Sequence, residues 1–431
     1  MSTLDWIVLF GTLVFIVAYG TWKTRGSKTI DSYIRGGNEA KWWTVGLSVM
    51  ATQASAITFL STPGQAYADG MRFVQFYFGL PIAMVILCVT FIPIFYKLKV
   101  YTAYEFLEKR FDVKTRSLTA LLFLVQRGLA AGITIYAPAI ILSTMLGWRL
   151  DVTNLIIGSM VILYTVSGGT KAVNVTHKFQ MLVIMSGMFV AFYLLIDALP
   201  QGVSFSDALH VAGASGRLNA LDFTFDLNNR YTIWTGILGG LFLHLSYFGT
   251  DQSQVQRYLS GKSVKESRLG LVFNGLLKVP MQFFILMVGV MVFVFYQFYQ
   301  SPVFFNRVGL QEIQNSEYAN QFADVQSRYD SASLVKRSIV EGYLRALDKQ
   351  NEDGMSEYRE EMVKKEEQLE TLREEARQLI AIAQPEAETN DRDYVFITFI
   401  LDSLPTGLIG LLLAVIFSAA MSSTSAELNA L

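Results

Sequence analysis

Residues 50–64, MATQASAITFLSTPG, place Thr52, Gln53, Ser55, Thr58, Ser61 and Thr62 inside an apolar run from Trp42 to Gln65. Such groups can serve a cavity: irregular backbone survives at membrane depth where it lines one, and its freed carbonyls can hold a cation. Alternatively, the helix stays whole and its hydroxyls bond back to their own carbonyls or to neighbouring helices. A second stretch, YTIWTGILGGLFLHLSYFG (231–249), is interrupted by glycine and turns polar at His244 and Ser246. Two interrupted spans in corresponding positions point to inverted repeats with a binding site between them. Lys278 stands alone in LVFNGLLKVPMQFFIL. An intramembrane lysine is either a functional contact or a snorkelling or internally paired charge. Arg127, in FLVQRGLAAG, poses the same alternatives, and His244 is either a solute contact or a packed histidine.

Positioning these residues requires elements that cross a bilayer. Apolar segments near the ~20 residues such a crossing needs recur at 6–22, 42–65, 74–96, 118–146, 153–166, 179–199, 231–249, 269–298 and 406–431. Only 16% of residues are charged, against about 25% in a soluble domain. The fold class expected is therefore an all-α polytopic membrane protein. MSTLD has no basic stretch and no cleavage site follows it, so the first segment reads as a span. Cys88 is the only cysteine, which excludes a disulfide framework. Lys23, Arg25, Lys28, Arg35 and Lys41 follow the first span, and further lysines and arginines follow the third, fifth and seventh. By the positive-inside rule those loops are cytoplasmic and the N-terminus is outside. The location expected is the cell membrane (a bacterial inner or plasma membrane), with the lipid bilayer as partner and no nucleic acid.

Residues 300–393 break the apolar pattern. Met355, Tyr358, Met362, Lys365, Leu369, Leu372, Ala376, Leu379 and Ala383 recur in steps of three and four, an a/d seam. Asn351-Glu352-Asp353-Gly354 separates it from a helical stretch at 333–347. This predicts an external helical hairpin, either a solvated spacer dispensable for transport or a docking module for an extracytoplasmic partner. Residues 394–404 are too short to span and are expected as a surface helix. The domain reading is 1–299 transmembrane helices, 300–393 external insertion, and 394–431 a surface helix and a last span.

GTDQSQVQRYL (249–259), GGTKAVNVTHKFQ (168–180), YEFLEKRF (104–111) and SAAMSSTSAELNA (418–430) resemble the sodium:solute symporter family. The resemblance runs from about residue 6 to the end, excluding 300–393. It implies the LeuT-type five-plus-five inverted-repeat fold, with one extra N-terminal helix and core helices 1 and 6 broken. On that reading 42–199 is the first repeat, and the chain is cut after core helix 8. The resemblance places a sodium ion, the coupling ion, at the carbonyls of Ala51 and Ala54 and at Ala419, Ser422 and Ser423. It turns Gln53, Ser55 and Thr58 toward a small-molecule solute, across from His244, Tyr247 and Lys278, with Tyr247 where the family often has an aromatic inner gate.

Two departures matter. His177 replaces an aspartate that accompanies a second sodium site, and Ser422-Ser423-Thr424-Ser425-Ala426 departs from the associated serine pattern. One sodium per solute is the expectation. Tyr77, Ile57 and Thr58 stand where sugar-carrying members place a carboxylate and polar groups, which favours a small organic anion over a sugar. Arg127 lies about one turn from Ala130, where an anion-binding arginine would be expected. With no acid in Leu269–Phe298, 50–64 or 231–249, the cavity has a basic bias. The function expected is sodium-coupled symport by alternating access. The alternatives are a sensor built on a transporter-like domain, a sugar transporter and an adhesion protein acting through the hairpin. An enzyme is disfavoured, because neither a metal-spaced cluster nor a nucleophile–base pair is present.

Overall fold

The computed structural model describes residues 1–24, 30–226, 228–385 and 389–431. Arg25 and Lys28 of the first basic loop lie outside the described residues. Among those described the chain is helical, and the only extended pairing is an isolated bridge between Ala40 and Gly261. α1 (Thr3–Thr24) is the extra helix, and α2 (Ile30–Arg35) leads into the core. The polar stretch then splits a span into α3 (Trp42–Gln53) and α4 (Ala56–Asp69). Neither proline nor glycine makes this break. Ala54 leaves the helix (φ −92°, ψ 76°) and Ser55 is extended (φ −77°, ψ 169°). The Ala54 N–H turns back to the carbonyls of Met50 and Ala51 at 2.9 and 3.3 Å, and Thr58 N–H donates to the Ser55 carbonyl at 3.0 Å.

α5 (Gly79–Val89) and α6 (Phe91–Leu98) form the next span, and α7 (Glu105–Arg110) is a short connector. α8 (Val113–Leu146) starts at Asp112, whose carboxylate accepts from Thr115 N–H at 2.7 Å and satisfies one of the orphan donors of a helix start. α9 (Leu150–Asp197) holds two of the expected spans. They turn at Gly169 (φ 53°, ψ −143°), where a Cβ would sit 2.5 Å from the Tyr33 carbonyl. α10 (Phe205–Ala214) carries a Ser204–Asp207 capping box. The glycines at 236–240 do not break the second interrupted span. A π-helical turn, Thr235–Gly239, runs straight into α11 (Gly240–Thr250), and the break comes later, at Asp251, before α12 (Gln252–Leu259). α13 (Val264–Phe298) follows. Among the described residues, six helices are long and apolar enough to cross a membrane.

The insertion comprises α14 (Arg307–Gln314), α15 (Ala319–Asp348) and α16 (Glu352–Ala383), before α17 (Arg392–Ser403) and α18 (Leu408–Ala430). α15 and α16 pack as the expected hairpin, with Asn351 capping α16. The buried seam is Met362, Leu369, Leu372, Arg373, Ala376 and Ile380. Lys365, expected in the seam, lies half-buried beside it with its ammonium donating to Gln368 Oε1 at 2.8 Å, while Arg373 sits inside. Two expectations change here. The hairpin is no free spacer, because it packs on α13 and reaches α4 through side chains. α17 is no surface helix either: Tyr394–Ile400 are all buried and α17 packs on α4.

Burial raises the Glu366 carboxyl, but Lys336, Arg217 and Arg373 outweigh it and hold it below the usual carboxylate range. A depressed carboxyl stabilises the fold above its unfolded pKa, and that stability is lost as pH falls through the folded value. Hydrogen exchange of residues 319–383 in the whole chain, corrected for intrinsic rate, should therefore quicken as pH drops below about 4. Glu366→Gln should flatten that dependence.

Candidate functional site

The break between α3 and α4 lies against α18. Ser422 Oγ donates to the Ala419 carbonyl at 2.9 Å and stands 3.4 Å from the Ala54 carbonyl. Ser423 Oγ donates to the Ala419 carbonyl at 3.2 Å. Ala51, Ala54, Ala419, Ser422 and Ser423 are all buried. The AxxSS spacing puts the α18 residues one turn apart on one face, and the end of α3 supplies carbonyls that no further helical turn consumes. Carbonyl and hydroxyl oxygens without fixed charge suit a hard monovalent cation. The structure thus brings together the residues read from the sequence as one set.

His177 stands beside this set as a tie between three helices. Its Nδ1 lies 2.9 Å from Ser48 Oγ on α3, and its Nε2 lies 2.9 Å from the Ser422 carbonyl on α18. Ser48 Oγ also donates to Asn174 Oδ1 at 2.7 Å, and Asn174 Nδ2 donates to Ser260 Oγ at 3.0 Å. An imidazole anchored at both nitrogens offers no oxygen to a second cation.

The solute-facing residues divide into groups. Lys278 is fully buried and its Nζ has no hydrogen-bond partner, which removes the snorkelling alternative. It lies 5.9 Å from the Tyr77 ring centroid, within the range of a cation–π contact. Tyr77 in turn lies 6.0 Å from His244, whose Nε2 is buried without a partner. Gln53, Ser55 and Thr58 are half-buried at the break and just beyond it, and Gln53 Oε1 is an unsatisfied acceptor. A buried polar group without a partner calls for an explanation, and a bound water, ion or solute is one. Tyr77 was read only as a missing carboxylate, yet it joins the lysine to the histidine.

Tyr247 packs against the same core cluster as Tyr77 and also reaches a second group. Its ring faces the Arg127 guanidinium at 5.8 Å. Arg127 pairs with Asp251 and, at 3.0 Å, with Glu427. This corrects the basic bias expected of the cavity in part: Arg127 has two counter-charges, whereas Lys278 pairs with no acid among the described residues. Asp251 sits at the second helix break and Glu427 one turn past the serines of α18, so one ion cluster joins α8, α11–α12 and α18. A cavity of about 280 Å³ opens beside it, lined by Gln126, Arg127, Ser246, Tyr247 and Asp251. Both acids lay in the motifs GTDQSQVQRYL and SAAMSSTSAELNA. What could have flagged them was their charge, in segments otherwise buried.

Two discontinuous spans, an extra N-terminal helix and a polar centre at the breaks define a membrane transporter fold of the LeuT type. The sodium:solute symporter family model matches residues 33–321, and the chain belongs to that family. It is 37% identical over 273 residues to human sodium-coupled monocarboxylate transporter 1, covering 63% of this chain and 44% of that protein. It is 35% identical over 253 residues to the human sodium/iodide cotransporter, covering 58% and 38%. The sodium/sialic acid symporter of Proteus mirabilis (strain HI4320) is 32% identical over 318 residues, covering 71% and 62%. The chain thus spans about four-tenths of the length of these human relatives. The solved substrate-bound, outward-open structure of a sodium-coupled sialic acid symporter superposes with a TM-score of 0.72 at 25% identity, over 100% of this chain and 73% of the other.

Removing Arg127 would leave two buried carboxylates without a counter-charge, a loss of about 3–5 kcal/mol for a buried pair broken from one side. Arg127→Met should therefore lower thermal stability in detergent sharply. Arg127→Met with Glu427→Gln and Asp251→Asn should recover most of it, a non-additivity readable in a mutant cycle.

Proposed function

We propose that the protein is a sodium-coupled symporter that carries a small organic anion across the cell membrane by alternating access. The observation that carries this reading is the set of carbonyl and hydroxyl oxygens where the interrupted helix meets Ser422 and Ser423. The basic short loops support an orientation with the N-terminus outside. Sodium at this site joins α3, α4 and α18, so its binding favours one arrangement of the two repeats, and its gradient drives the solute that shares the cavity. With His177 tied to Ser48 and Ser422, one sodium moves per solute. Ser422→Ala combined with Ser423→Ala should abolish sodium-dependent uptake while leaving membrane insertion intact. In the wild type the Hill coefficient for sodium should be close to one. Unchanged sodium dependence in the double variant would remove this site from consideration.

The solute's charge follows from Lys278. A buried ammonium without a partner costs several kcal/mol, and a carboxylate arriving beside Tyr77 and His244 would supply the missing acceptor. The relatives compared are named for monocarboxylates, iodide and sialic acid, all anions at neutral pH. A sugar is not favoured: Ile57 is largely exposed and Tyr77 is engaged with Lys278. Lys278→Met should raise the apparent KM for solute far more than it changes the apparent sodium affinity. Full activity in that variant, or a cationic preferred solute, would overturn the anion reading.

A further inference from the structure

Three consecutive residues at the C-terminal end of α4 are each held by an arginine. Tyr67 Oη accepts from Arg373 of the hairpin at 3.0 Å. The Ala68 carbonyl accepts from Arg217, which pairs with Glu366 of the hairpin at 3.3 Å. Asp69 pairs with Arg392 at 2.7 Å. A helix C-terminus presents unpaired carbonyls and partial negative charge, so cations gather there favourably. Here the cations come from segments outside the repeat core.

Arg373 is the hub. It is 5% exposed; its Nε donates to Tyr329 Oη at 3.1 Å, and its Nη2 shares two hydrogens among Tyr67 Oη, Tyr329 Oη at 2.7 Å, Ser301 Oγ at 3.1 Å and the Pro302 carbonyl at 3.1 Å. One guanidinium therefore joins α15, the segment after α13, and α4. Lys336 of α15 pairs with Glu366, and its ammonium lies 5.3 Å from the Phe293 ring of α13. Close packing reinforces the hold: a Cβ on Gly64 would lie 1.9 Å from the Arg392 carbonyl. α4 is the half of the broken helix on the hairpin side, where rocking or gating of one repeat against the other would open the cavity.

We propose that the hairpin is a strap on the outer gate, and that the Arg373 hub, through Tyr67, sets the balance between open and closed on that side. This rests on the transport reading above and goes beyond it, since neither the sodium site nor the solute pocket requires an insertion. Tyr67→Phe is the variant that separates the strap from the hairpin's own fold. It removes the bond to α4 and leaves Arg373 bound to Tyr329, Ser301 and Pro302. The exposed Arg392–Asp69 pair contributes little by itself.

The test needs no solute. Gln65→Cys in a Cys88→Ser background places one thiol on α4, and its labelling by a membrane-impermeant maleimide from the hairpin side reports opening. Labelling of the otherwise unaltered chain should depend on sodium. Tyr67→Phe should speed it by about tenfold, the ratio that a charge-assisted hydrogen bond of ordinary strength implies, and Arg373→Ala by at least as much. Labelling that responds to sodium but is untouched by Tyr67→Phe and Arg373→Ala overturns the strap alone. Labelling indifferent to sodium in the otherwise unaltered chain overturns the transport reading, and the strap with it.

Discussion

A backbone that stops being helical inside a bilayer must still satisfy its carbonyls and amides, because no water is there to do so. The gap at Ala54–Ser55 meets that constraint with two internal turns and with Ser422 from α18. Much of the architecture follows from it. α18 has to lie against the break, and its contact with α9 is the most extensive between any two helices. α9 carries His177, whose ring reaches α3 and α18 at once. A cation among the freed carbonyls would complete the same accounting, so the proposed ion site and the solution to the backbone problem would be one arrangement.

The second break shows the same economy with charges. Asp251 caps α12 by accepting from Ser253 N–H at 2.9 Å, and it also faces Arg127. A single carboxylate thus starts a helix and neutralises a buried guanidinium. The following segment, Gln252–Leu259, is buried throughout, and its side chains tie neighbouring elements: Gln256 to the Ile34 carbonyl at 2.8 Å, Arg257 to Asn429 at 2.5 Å. These bonds offset part of the cost of burying a polar helix, although the Gln254 amide and the Arg257 Nε and Nη1 stay buried without partners.

The first break was legible in the sequence because polar residues interrupt a hydrocarbon run, a purely local signal. The AxxSS set was legible through the family resemblance rather than through its spacing. The second break was misplaced because glycines at 236–240 look like an interruption, whereas Thr235–Gly239 winds as a π turn and the chain leaves the helix only at Asp251. The Arg127 cluster was invisible for a different reason. Arg127 and Glu427 are 300 positions apart, and only the fold brings them together. Arg373 escaped notice because periodicity counts apolar residues, and an arginine beside Leu372 reads as a solvated face. α17 was taken for a surface helix by its length, but burial is decided by what packs over a segment.

Asp5 on α1 is fully buried, and its carboxylate accepts from the backbone amides of Gly407 and Gly410 at 2.6 and 3.1 Å, capping the start of α18. Asp5 and Gly407 are 402 positions apart. At ribosomal rates of ~5–20 residues per second, about 20–80 s separate the synthesis of the carboxylate from that of its partners. For that interval the Asp5 carboxylate has only its local partners, the amide and hydroxyl of Ser2 at 2.7 and 2.9 Å. The helix that bears Ala419, Ser422 and Ser423 is capped only when the beginning of the chain meets it. The order of assembly thus leaves the meeting of α18 with the break at Ala54–Ser55, and with it the proposed ion site, among the last features to form.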